Sequence, residues 1–194
     1  MVRPDRTPLA GRVEADETHL GAPKPGRPGR GAAGKTLVAG AVEAGRGKAR
    51  GRRRLGRLRL AVVPDAAAKS LGAFLAAHVT KPATVATDGW SGYRGLPDVG
   101  YGHEPINLSA TWGDAALRLP GIHLAFSLVK RRLLGTRHGA VGERHLPAYL
   151  DEYVFRFNRR TAGSISHGFA RLLEHAVQIK PTTYRAIVAT PTPA

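Results

Sequence analysis

Residues 13–21 read VEADETHLG, a strand-like run that carries three carboxylates, Glu14, Asp16 and Glu17. Asp and Glu are scarce in strands, and a buried carboxylate must be paired or bound to a cation to offset its desolvation. An acidic strand in a basic chain therefore predicts a cation-holding site. Side-chain alternation singles out Asp16, with Glu14 and Glu17 expected to flank it from the opposite strand face. Glu17 reads as a supporting or capping group.

Outward from this strand the chain is punctuated. Residues 22–34, APKPGRPGRGAAG, hold neither helix nor ladder, because proline lacks a donor and glycine has too much freedom. Two apolar, β-rich runs follow, residues 35–43 (KTLVAGAVE) and 58–64 (LRLAVVP), and with the acidic strand they form an antiparallel meander. Residues 65–79 then predict a helix, N-capped by Asp65, with Leu71, Phe74, Leu75 and His78 on one face. Residues 84–90, TVATDGW, predict a strand ending at Asp88-Gly89. Strand ends are where α/β proteins place functional groups, although Asp-Gly is equally a turn pair.

Residues 100–109 suggest one more short strand and the following TWGDAALRLPG a loop. In IHLAFSLVKRRLL, residues 122–134, an apolar stripe of Ile122, Phe126, Val129 and Leu133 runs beside a polar row of His123, Ser127 and Lys130. A second helix over 143–160 turns Leu146, Tyr149, Leu150, Tyr153, Val154 and Phe157 inward, and a third is centred on 169–177. Three meander strands, a helix, a parallel strand and a later helix is the element order of an α/β, RNase H-like fold. Such a fold has a mixed sheet, with the three-strand meander plus parallel strands, flanked by helices. It would set Asp16 beside Asp88, and a carboxylate pair of that kind suits two-metal phosphoryl transfer.

The net charge of +16 favours a polyanionic partner. Residues 24–59 hold twelve basic residues and one acid, and residues 130–171 nine basic residues and three acids. The absence of cysteine excludes disulfides, thiol catalysis and cysteine-ligated zinc. No run approaches the roughly 18 apolar residues that span a bilayer, and the start lacks a signal peptide's apolar core, so a cytoplasmic protein is expected. Residues 29–36, GRGAAGKT, fit the phosphate-loop pattern letter for letter. That motif needs a strand entering and a helix leaving, whereas here a Pro/Gly run enters and a strand pattern leaves.

The pieces VEADETHLG, KTLVAGAVE, VVPD, TDGWSGYRGL, FSLVKRRLLGTRHGAV and HLPAYLDEYVFRFNRR, in this order, resemble the catalytic domain of DDE insertion-sequence transposases, the ISXO-like branch. The resemblance covers roughly residues 12–162. It implies an RNase H-like catalytic domain there, a tail or linker remnant over 1–11, and a helical extension and tail over 163–194. It also implies a bacterial DNA transposase that cleaves and joins transposon ends with two divalent ions, Mg or Mn. Asp16 and Asp88 match the two metal-binding aspartates. The third position, commonly Glu or Asn seven residues before a helical lysine, is here His123, 35 residues after Asp88 and seven before Lys130. A neutral imidazole suits Mn better than Mg. A histidine hydrogen-bonded to either aspartate is the alternative for His123, and Glu104 and Asp114 are the substitute third ligands.

Lys130 would hold DNA phosphate near the centre. Lys35, Arg52, Arg53, Arg54, Arg131, Arg132, Arg156, Arg159 and Arg160 are further phosphate-contact candidates, and His138 either approaches DNA or caps its helix. The expected partners are transposon-end and target DNA and at least a second copy of the chain, in a nucleoid-associated setting with no membrane. Family members usually carry an N-terminal DNA-binding module, often zinc-bound, and with no cysteine in the sequence no such module is expected here. A decayed or truncated relative that only binds DNA is therefore the alternative function.

Overall fold

The computed structural model describes residues 6–21, 35–46, 53–106, 119–138, 141–179, 181 and 183–185. Five strands form one mixed sheet: β1 (Leu9–Leu20), β2 (Thr36–Arg46), β3 (Arg53–Val62), β4 (Val79–Thr87) and β5 (Gly102–Pro105). Their order is β3-β2-β1-β4-β5. β1–β2 and β2–β3 pair antiparallel, while β1–β4 and β4–β5 pair parallel. The helices are α1 (Ala68–His78), α2 (Pro120–Arg137), α3 (Leu146–Asn158) and α4 (Ile165–Ala176). This is the mixed sheet with flanking helices that the element order predicted, consistent with an RNase H-like fold.

β1 lies at the centre and is covered on both faces, so its alternation sorts side chains between two cores rather than between core and water. Val13 and Ala15 face one cluster with Leu71, Phe74 and Leu75 of α1 and with Tyr93 and Tyr101. On the other face, Val38 and Val42 of β2 and Leu58 and Leu60 of β3 meet Ile122, Phe126 and Val129 of α2 and Leu146, Leu150 and Phe157 of α3. The apolar stripes read from the two later helices are therefore their packing faces. β3 is an edge strand, and Asn158 closes part of that edge: its Oδ1 accepts from Leu58 N at 2.7 Å and its Nδ2 donates to Leu58 O at 3.1 Å.

Two local expectations need correction. α1 starts at Ala68 with Ala67 as N-cap and no side-chain cap. Asp65 instead accepts from Ala67 N at 3.0 Å, closing the turn before the helix rather than capping it. β4 begins at Val79, five residues earlier than its sequence pattern, despite Pro82. The β1–β4 register jumps from Leu9↔Val79 to Gly11↔Ala83, so the proline falls in an irregularity where no ladder donor is needed. Residues 29–34 of the phosphate-loop look-alike, with Arg52, Asp114 and most of the predicted loop before α2, lie outside the described residues, as do the side chains of Arg53 and Arg54. What leaves the look-alike is strand β2.

α2 approaches the sheet closely where β2 has Gly40, the residue paired with Asp16. A Cβ there would meet Phe126 Cε1 at 2.6 Å and Ile122 Cδ1 at 2.8 Å. Gly40→Ala should cost about 1–3 kcal/mol by overpacking, read as a lower urea midpoint with unchanged slope. His78 provides a pH test. Its Nδ1–H donates to Phe74 O at 2.8 Å and its Nε2 accepts from Arg6 Nη2 at 3.2 Å. Burial, then the nearby Arg6 and Arg59, hold its pKa below the ordinary value despite the Phe74 bond. The unfolded chain therefore binds a proton first as pH falls. Stability should drop as pH passes below about 6.5, and the drop should be smaller in His78→Gln.

Candidate functional site

Along β1 the even-numbered residues Arg12, Glu14 and Asp16 point to the α2 side. Glu14 is fully buried. Its Oε2 accepts from Gly121 N at 2.7 Å and Ile122 N at 3.1 Å, the first turn of α2. The N-cap residue Leu119 supplies no side-chain cap, so a carboxylate from the sheet satisfies donors that every helix start leaves open. Gly121 permits this approach, since a Cβ there would lie 2.8 Å from Glu14 Oε2 and 2.7 Å from Leu55 Cδ2. The expectation that Glu14 flanks Asp16 from the opposite face is thus wrong: residues two apart on a strand share a face. Glu17 does point the other way and accepts from the Tyr93 hydroxyl at 3.0 Å.

Docking α2 by its first turn carries His123 over Asp16. His123 Nε2 lies 3.8 Å from Asp16 Oδ2, too far for a hydrogen bond, and this buried nitrogen has no hydrogen-bond partner. Desolvation lowers the His123 pKa and Lys130 lowers it further, against the opposing pull of Glu14 and Asp88, so the ring is neutral at pH 7. Asp88 is the first residue beyond β4. The parallel register pairs Glu14 with Ala86, and continued by two residues it brings Asp88 beside Asp16.

Asp16, Asp88 and His123 line one cleft of about 950 Å³, together with Glu17, His19, Lys35, Trp90 and Glu143. The Asp16 carboxylate is oriented by Glu17 N, which donates to Oδ1 at 2.8 Å. Asp88 Oδ1 accepts from Trp90 N at 2.9 Å, so the turn role of the Asp-Gly pair is real as well, with Gly89 at φ +79°. Trp90 is anchored on the wall by Nε1–H donating to Ala66 O at 2.9 Å. Buried Tyr93 feels the cleft's charge: burial first, then Glu17, Asp16 and Asp88, push its hydroxyl pKa far up.

The donor chemistry of the cleft, carboxylate oxygens beside a neutral imidazole whose buried Nε2 lacks a partner, suits a divalent cation. Among the described residues, however, no three His, Asp or Glu side chains stand close enough together to hold one. Glu104 is engaged elsewhere: Arg12 grips it from Nε at 2.9 Å and from Nη2 at 3.2 Å, and reaches Glu14 Oε1 with Nη1 at 3.4 Å.

The basic candidates divide. Lys35 is on the cleft wall. Lys130 is exposed on α2, and its pKa is lowered by desolvation and by Lys35 while Asp16 holds it up, which places its charge near both. Arg131 is exposed on the same helix. Arg132 and Arg156 share Glu152, at 2.7 Å for Arg132. Arg160 donates to the carbonyls of Leu55, Gly56 and Phe157, tying α3 to β3, and Arg159 stacks on Phe155 at 3.8 Å. His138 is the left-handed C-cap of α2, its N–H bonded to Leu133 O.

The sequence reading missed two acids here. Glu14 was recoverable from strand alternation correctly applied. Glu143 lies in the turn before α3, and no local pattern marks it as a cleft residue.

Residues 8–158 match the family model described as the ISXO2-like transposase domain. No curated protein matches the chain.

Glu14→Ala would leave two helix-start donors, Gly121 N and Ile122 N, unpaired in a buried interface. The expected cost is about 3 kcal/mol, measured by urea unfolding at neutral pH. A loss below about 0.5 kcal/mol would show that water replaces the carboxylate and that α2 is not docked by it.

Proposed function

Because the chain belongs to the ISXO2-like transposase domain family, we propose that it catalyses metal-dependent cleavage and joining of insertion-sequence DNA ends. The observation that carries this reading is that Asp16, Asp88 and His123, whose Nε2 has no hydrogen-bond partner, line one cleft. Asp16 and Asp88 would be the metal-binding aspartates and His123 the third ligand. When bound, two divalent ions would activate the attacking oxygen and stabilise the leaving oxygen of an in-line displacement at phosphorus.

The chain's own residues would prepare that step. Glu17 N fixes the Asp16 carboxylate, Glu14 fixes the helix that presents His123, and Trp90 N holds Asp88 at the cleft mouth. Lys35, Lys130 and Arg131 are the phosphate contacts best placed to draw a DNA strand into the cleft. Synapsis of two ends requires at least two copies on DNA. No helix among the described residues is long and apolar enough to cross a membrane, and a nucleoid-associated role follows from the DNA substrate. We assign residues 12–162 to the catalytic domain and 163–194 to an extension.

A second reading is a DNA-binding relative that has lost catalysis. It is favoured by histidine at the third position and by the absence of a converged ligand trio among the described residues. Incubation with Mn or Mg and labelled transposon-end DNA separates the two. Wild type should nick the end and Asp88→Ala should lose at least about a thousandfold in rate, the scale of a removed electrostatic stabiliser. Identical products, or none, from two proteins that both bind the DNA would leave only the binding reading.

A further inference from the structure

A second cavity, of about 330 Å³ and sharing no lining residue with the cleft, lies where the segment before β1 meets β3, α3 and α4. Arg6, Arg57, Arg59, Arg159, Asp151 and His175 line it. Arg57 is already satisfied: it pairs with Glu43, Nη2 to Oε1 at 2.6 Å, and donates to Thr7 O and Pro8 O. Arg59 is not. It is 4% exposed and bonds only two carbonyls, Leu58 O at 3.0 Å and Thr7 O at 2.7 Å.

No carboxylate among the described residues forms an ion pair with Arg59. Desolvation, with Arg6 and Arg57 close by, pushes its pKa down to about 10. Glu43, which Arg57 already holds, is the one carboxylate whose charge acts on Arg59 against these effects, so this buried cation has no ion pair of its own and keeps spare N–H donors. His175 adds a second unmet demand: it is 8% exposed, and its buried Nδ1 has no hydrogen-bond partner. The one carboxylate on the lining, Asp151, is pushed by burial toward its neutral form, with Arg6 opposing.

We propose that this cavity binds a phosphate group, received by Arg6, Arg59, Arg159 and His175. Guanidinium forks match the paired oxygens of a phosphate, and its several acceptors answer the spare donors of Arg59 and the Nδ1 of His175 that has no partner. The phosphate is either that of a DNA backbone or that of a small phosphorylated anion. Arg6, Arg159 and His175 lie outside residues 8–158, so the cavity is completed by parts of the chain beyond the family match. The inference is independent of the cleft chemistry.

The test uses the full chain in thermal unfolding, with sodium phosphate against sodium chloride at equal ionic strength. Phosphate should raise the Tm above the chloride control. Arg6→Ala and His175→Ala, which leave Arg59 in place for folding, should bind phosphate about tenfold or more weakly. Equal Tm in the two salts, or undiminished phosphate binding by both variants, would overturn the proposal. Binding to a short random-sequence duplex across a salt series then identifies the source. A slope reduced by about one unit in the variants assigns the site to a DNA phosphate, and an unchanged slope with phosphate binding lost assigns it to a small anion.

Discussion

The buried carboxylate of Glu14 on the first turn of α2 is the contact on which the cleft depends. It is a sheet-to-helix interaction between residues more than a hundred positions apart, and it uses the electrostatics of a helix start rather than apolar packing. The helix is thereby fixed in both position and rotation. Two residues after Gly121 comes His123, and two residues after Glu14 comes Asp16, so the same docking that gives the Glu14 carboxylate its hydrogen bonds sets the imidazole above the aspartate. Gly121 and Gly40 make the approach possible by removing the side chains that would hold the helix off the sheet.

The fold was legible because its strongest signals are local. Apolar stripes at helical spacing in residues 122–134 and 143–160, and β-rich runs bounded by Gly and Pro, fixed element type and order, and the order alone implied the sheet. Boundaries were less legible where tertiary context overrode propensity. Pro82 argued against a strand, yet a register irregularity against β1 absorbs it. The site was half legible for a similar reason. Asp16 and Asp88 announce themselves as acids in strand-like surroundings, but whether a carboxylate faces a helix start, as Glu14 does, depends on the partner element. Period-two alternation puts Glu14 on the face of Asp16, contrary to the expectation drawn above, and only the docked helix shows why an acid is tolerated there.

Charge was the least reliable guide to contacts. A net +16 points to a polyanion, but the C-terminal basic zone spends much of its charge internally. Arg132 and Arg156 converge on Glu152, and Arg160 serves as a clamp between α3 and β3. Guanidinium groups suit such duty because a planar fork can satisfy several carbonyls at once. A run of arginines therefore predicts structural clamps as readily as phosphate contacts. Which of the two it supplies depends on whether acids and free carbonyls lie within reach.

Histidine at the third position changes the electrostatics of the cleft in a definite direction. Asp16, Glu17 and Asp88 already bring negative charge to one wall, and their joint field is strong enough to reach the buried Tyr93 hydroxyl. A carboxylate in place of His123 would face Asp16 at under about 4 Å, and a like-charge pair at that range resists joint ionisation unless a cation intervenes. The neutral imidazole removes that repulsion and leaves a nitrogen lone pair where an oxygen would otherwise stand. The cleft is consequently better tolerated empty, and its donor set is softer. A histidine ligand moves metal preference from Mg toward Mn, because Mg prefers oxygen and imidazole suits the later divalent ions. On the proposed reading, the same histidine that weakens the case for a preformed ion cage would shift the preference of the cleft toward Mn.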